Sequence, residues 1–233
     1  MHHTPCLRSS PTIRDDGTMN PVQQFEAAMN KQEKRLLGRL TSPAAIQGFL
    51  DSIPYKVDVA YQAPLGVMRT REANCFDGAL FAAAALRRIG HRPVIIYMLA
   101  SDDDDHTIAV YKRNRWLGAV AKSNYVGLRF RDAIYRNSRE LLMSYFEVYF
   151  NLAREKTLRA YTHPLNLTPF DRISWMIDNA AIEAISCRID SLKRHTLVTP
   201  AMAQGLALVD RRSYAANMLG VNMDGVYKPG SKT

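Results

Sequence analysis

Cys75 and His106 stand 31 positions apart, and the most regular stretch of the chain lies between them. A thiol attacks a carbonyl carbon as its thiolate, and a neighbouring imidazole can take the proton that must leave. Asn74 is a good N-cap, and Asp77 three residues later can return a hydrogen bond in the manner of a capping box. This spacing predicts Cys75 at the first position of a helix. There the unpaired amides and the positive end of the helix dipole would lower the thiol pKa.

Three elements must bring these groups together. The helix continues through FAAAALRRI, whose small side chains allow a sheet to approach, and Gly90 followed by Pro93 stops it. Residues 94–99, VIIYML, are a continuous apolar run of strand length, expected to be buried on both faces. After the polar loop 101–105, HTIAVYK alternates so that His106, Ile108 and Val110 share a face. RNR turns the chain, and WLGAVAKSNY reads as the partner strand of a hairpin.

Cys75 opening an alanine-rich helix, Leu86-Arg87 and Gly90 to Pro93 at its end, the strand, and His106 heading a hairpin together resemble the transglutaminase-like branch of the papain-like cysteine enzymes. The likeness spans residues 42–125. It implies an α+β fold: a Cys-bearing helix packed on a small antiparallel sheet, with additional N- and C-terminal helices. It also implies a thiol acyl-transfer enzyme, an amidase or cysteine peptidase acting on a peptide or protein. The family's usual aspartate at the end of the second hairpin strand is missing from GAVAKSNY. Asn124 is the nearest substitute, since an asparagine can also orient an imidazole; Ser123, Lys122 or a carboxylate from elsewhere are the alternatives. In such an arrangement the irregular connection 53–71 passes beside the cysteine. Its backbone, or Tyr61 and Gln62, is then the expected source of an oxyanion donor. A catalytically silent peptide-binding or assembly module with the same fold is the rival expectation, favoured by the missing aspartate.

Asp102 to Asp105 precede the histidine. Four acids in a loop ordinarily form a solvated turn. Beside an imidazole they would raise its pKa and attract an amine-bearing substrate. Adjacent acids lack the alternating spacing of a calcium loop, no zinc spacing occurs, and no glycine-rich phosphate loop is present, so neither metal nor cofactor is expected.

A length of 233 residues suffices for one core with a helical appendage, and 47% hydrophobic with 23% charged residues is the balance of an ordinary globular chain. The formal charge is +9, yet the basic residues are dispersed in pairs such as Arg87-Arg88, which argues against a nucleic-acid surface. Three cysteines do not make a disulfide framework. No apolar run is long enough to span a bilayer, and the first residues lack the apolar core of a secretory signal. A cytoplasmic protein is the expectation, with Cys187 a small core residue among Ile185 and Ile189.

The remaining chain reads as helices around that centre. Residues 1–19 are expected to be a flexible extension, 20–130 the core, 131–220 a helical part packed on it, and 221–233 a flexible tail. One helix is predicted over residues 21–40 and a shorter one from Ser42-Pro43 to Ser52. Aromatic spacing predicts another within 130–153, and threonine-proline starts predict helices from Thr168 to about Arg194 and from Thr199 to Gly220. His163 sits in the connection and is given no role.

Overall fold

The helix Cys75–Arg88 and the strand after it set the architecture. The computed structural model describes residues 19–58 and 60–228, so the expected extension, apart from Met19, and residues 229–233 of the expected tail lie outside the described residues. Before the central helix come α1 (Pro21–Ala27), α2 (Lys31–Arg39), α3 (Pro43–Ser52) and α4 (Pro64–Thr70), which makes the central helix α5 (Cys75–Arg88). The Asn74 side chain accepts from the Asp77 amide at 2.9 Å, capping α5 as expected. At its other end Gly90 takes φ 93°, the left-handed turn that glycine enters without strain.

β1 (Val94–Ala100) follows, then β2 (His106–Arg113) and β3 (Trp116–Val120) as an antiparallel hairpin. Alternation on β1 sends Ile95 into a core shared with α5, and Ile96 and Met98 into a second core on the opposite face. The sheet then extends both ways. β4 (Arg131–Tyr135) pairs with β3; β5 (Leu158–Thr162) and β6 (Leu165–Asn166) pair with β1; β7 (Arg194–Thr196) closes the far edge. Every pairing is antiparallel, in a seven-stranded sheet ordered β4-β3-β2-β1-β5-β7 with β6 beside β1. Mixed helix and antiparallel sheet is the α+β class that the pattern implied.

Close packing brings the mouth of α5 onto the hairpin. A Cβ on Gly78 would lie 2.2 Å from the Lys122 Cβ, so glycine is what lets the helix settle against the end of β3. Lys122 is buried, and its ammonium donates to the carbonyls of Leu50 at 2.8 Å and Ile53 at 2.5 Å, satisfying the end of α3. The Gln47 amide pairs with both the N–H and C=O of Ala121, extending the hairpin's hydrogen bonding into α3. The second face is covered by α6 (Ser138–Met143) with Leu141 and Leu142, and by buried Tyr145 and Tyr149.

Several expectations fail in their details, beginning with the connection 53–71, expected to be irregular, which carries α4. Residues 21–40 form two helices, because Asn30 makes a complete capping box with Glu33 and restarts the chain. The stretch 130–153 is β4, α6 and a short 3-10 turn, its aromatic bulk buried from irregular backbone. The stretch 168–194 begins as a 3-10 turn ending in left-handed Ser174, and becomes α7 (Ala180–Asp190) only afterwards. The last predicted helix is α8 (Pro200–Gln204) and α9 (Arg211–Asn217), separate turns. Thus the expected helical part contributes β4, β5, β6 and β7 to the sheet. Residues 221–228, expected to be loose, fold back on the core with Val226 buried. Cys187 is exposed while Ile185 and Ile189 are buried, which corrects its reading as core. Among the described residues no helix is long and apolar enough to cross a membrane.

Candidate functional site

Cys75 stands at the first turn of α5, and His106 is the first residue of β2, the strand beneath that turn. Both side chains line one small cavity of about 30 Å³. Cys75 also faces a larger open cleft of about 500 Å³, walled by Tyr55, Tyr61, Phe76, Tyr97 and Thr107. The Met98–His106 pairing places the imidazole level with the end of β1, and the Asp105 carbonyl accepts from the Cys75 thiol at 3.8 Å.

The imidazole is held by main chain. His106 Nε2 lies 2.8 Å from the Leu128 carbonyl oxygen, which can only accept; Nε2 therefore carries the proton there and Nδ1 keeps the free lone pair of the neutral ring. Arg131 fixes the loop bearing that carbonyl, donating to the carbonyls of Gly127, Phe130 and Ser144 while lying 3.9 Å from the centre of the Tyr145 ring. Tyr145 donates to the Arg129 carbonyl at 2.8 Å and completes the brace.

Both reactive groups are neutral in this state. Burial pushes the Cys75 thiol up to about 12, and the charges of Asp104 and Asp77 push the same way; the Thr107 amide on β2 and the Phe76 amide at the helix mouth oppose without prevailing. Burial brings His106 down to about 4, helped by Arg131 and opposed by the Leu128 carbonyl. These values correct two expectations. The helix-mouth amide of Phe76 does lower the thiol pKa but is outweighed by burial, and the neighbouring acids do not raise that of the imidazole.

The acids are occupied elsewhere. Asp105 accepts from the Ala100 amide at 2.8 Å and the Tyr97 hydroxyl at 3.1 Å, tying the loop to β1. Asp103 is buried and accepts from the Thr157 hydroxyl at 2.7 Å; burial raises its carboxyl to about 6. The turn expected to be solvated is therefore partly internal. Asp77 also departs from its expected role, because its carboxylate accepts from the Gln62 amide at 2.9 Å and pairs with buried Lys56 at 3.4 Å, and does not close a box with Asn74. Among the described residues no group of His, Cys, Asp and Glu is arranged to hold a metal.

The other sequence-selected residues separate. Tyr61 lines the cleft, its hydroxyl 3.0 Å from that of Ser186. Gln62 is buried behind it, with its amide oxygen accepting from Thr70 and its Nε2 unpartnered. Asn124 borders the small cavity, but its amide is taken up by the C-terminal segment: Nδ2 donates to the carbonyls of Asn222 at 2.8 Å and Gly225 at 3.1 Å, and Oδ1 accepts from the Asn222 amide at 2.9 Å. The ring partner is thus the Leu128 carbonyl in place of the Asn124 side chain. Sequence reasoning also missed Tyr55, which lines both cavities beside Cys75 and whose pKa burial raises well above its usual value. A parallel bridge between Tyr55 and Ala73 puts it there, a long-range pairing with no local sequence signal.

No protein-family model matches the sequence, and no curated protein matches it. Among solved structures, LapG of Legionella pneumophila superposes with TM-score 0.33 and 12% identity over 43% of this chain and 70% of LapG. Its EGTA-treated structure gives TM-score 0.33 and 12% identity over 44% and 68%, and its calcium-bound structure the same values over 44% and 70%. The likeness is a distant one of fold.

Proposed function

We propose that this chain is a transglutaminase-like thiol acyl-transfer enzyme, an amidase or cysteine peptidase acting on a peptide or protein. The observation that carries the reading is the shared cavity: a thiol on a helix mouth and an imidazole whose far nitrogen is fixed by a carbonyl. Cys75 is the nucleophile, and Nδ1 of His106 takes the thiol proton as sulfur bonds to the carbonyl carbon. The proton returns to the leaving nitrogen as the C–N bond breaks. Water or an amine then releases the thioester. The Leu128 carbonyl holds the ring in the tautomer required, the part given to a side chain in the expected triad, and the Cys75 amide at the helix mouth is the nearest oxyanion donor. Because both groups rest neutral, proton transfer has to accompany attack, with bound substrate and readmitted solvent supporting the ion pair. A reducing compartment, the cytoplasm, suits a free thiol nucleophile.

The high thiol pKa also favours a second reading, in which the cleft binds peptides without turning them over. A complex peptide digest incubated with the protein separates the two. New termini or amine-modified peptides that disappear with Cys75→Ala support the enzyme; binding that persists in Cys75→Ala without any product supports the module.

A further inference from the structure

Asn124 makes the kind of contact that a peptide-binding site makes. One side-chain amide meets both hydrogen-bonding groups of Asn222 and the carbonyl of Gly225, so it reads backbone and ignores side chains. The segment it holds agrees, for Met223 and Asp224 are exposed while Val226 is 6% exposed and anchors the far end. Gly225 borders both the small cavity and the large cleft beside Cys75. A Cβ on Gly225 would stand 3.1 Å from two carbons of the Tyr55 ring and 3.3 Å from Asn124 Nδ2, tighter than side chains normally tolerate. Tyr55 in turn lines both of those cavities together with Cys75.

From these contacts we infer that Asn124 and Tyr55 form a backbone-reading subsite for an extended peptide with glycine opposite Tyr55, and that residues 222–226 of the chain fill it in cis. The segment borders the two cavities that the half-buried thiol faces and acts there as a built-in competitor, so that a substrate peptide must displace it. This deepens the reading of Cys75 as a site that faces peptides, and it assigns Asn124 to binding. The burial that keeps the thiol protonated then has a removable component.

Iodoacetamide alkylation of the full chain, mapped by mass spectrometry with exposed Cys187 as internal standard, tests the assignment. Asn124→Ala removes the clamp; Gly225→Val spoils the occupant and keeps the clamp. Each raises the Cys75 alkylation rate about tenfold or more, the factor expected when hydrogen bonds of this kind are lost, with Cys187 unchanged. Added acetyl-Asn-Met-Asp-Gly-Val-Tyr-amide restores protection to the Gly225→Val protein and not to Asn124→Ala, and the same peptide with valine for glycine protects neither. Unchanged Cys75 rates in both folded variants, or no protection by the glycine peptide, would overturn the subsite. If a variant fails to fold, the unaltered protein decides: excess glycine peptide slows its residual Cys75 alkylation, and absence of slowing overturns the proposal. Failure of the acyl-transfer reading looks different, since Cys75 would respond to clamp and peptide as described while no variant turned over any substrate.

Discussion

The mouth of α5 and the loop 124–131 face each other across the same small cavity, and they are built by opposite means. At the helix mouth side chains do the positioning: Asn74 caps, Asp77 takes the Gln62 amide, Lys56 balances Asp77, and Gly78 admits the hairpin. Across the cavity the main chain does it, with the Leu128 carbonyl on the imidazole and the carbonyls of Gly127, Phe130 and Ser144 on Arg131. The comparison teaches that a thiol can be located by residue type, whereas the group orienting its base can be any residue whose carbonyl is correctly placed.

Breaking the side-chain half should have the largest effect. Asp77→Ala leaves Lys56, itself 6% exposed, buried without its partner, and is expected to lower stability by about 3–5 kcal/mol in urea denaturation. The double variant Asp77→Ala, Lys56→Met should recover most of that loss. A double variant as unstable as the single would show that the pair's charges are not what matters.

The main-chain half makes a prediction about pH. The folded pKa of His106, about 4, lies below its ordinary 6.5. Its stabilising contribution is therefore complete above pH 6.5 and drains away toward pH 4, as the unfolded chain takes up a proton that the folded chain refuses. It amounts to about 3 kcal/mol. Asp103 works the other way, because its carboxyl is raised from 3.8 to about 6: its contribution is complete below pH 3.8 and is lost as pH rises to 6. Asp103→Asn should steepen the fall in melting temperature on acidification, and His106→Gln should reverse its sign between pH 4 and 6. Parallel curves for the two variants would contradict the assignment of either group.

Gly78→Ala sharpens the comparison with a smaller effect. The added methyl meets the Lys122 Cβ, an overpacking that costs about 1–3 kcal/mol, and Lys122→Gly, which removes that atom, should relieve it at the expense of the α3 carbonyls.

What could be read in advance follows the same division. The capped helix, the buried strand β1 and the hairpin were legible because caps, apolar runs and period-two alternation are local signals. The sheet's extension by β4 to β7 was not, since strands of two to five residues such as Leu165–Asn166 and Leu158–Thr162 are defined by what they pair with, and the threonine-proline starts within that region argued for helices. Cys75 and His106 were legible as types at a spacing. Asn124 is legible as a residue of the cavity but not in its role: its place after the hairpin suggests a partner for the ring, whereas its amide holds Asn222 and Gly225 at the cavity's edge. Leu128 carried no signal at all, because a main-chain carbonyl has no residue type.

Acylation of Cys75 is the most direct test of the central claim, that its thiol is served by the His106 imidazole. The protein is exposed briefly to p-nitrophenyl acetate at neutral pH, quenched, and its acetylated residues are mapped by mass. The account predicts acetylation at Cys75 that slows by about a hundredfold or more in His106→Ala, as loss of a general base should give. Acetylation of Cys75 at the same rate without the imidazole, or confined to Cys187, would contradict it.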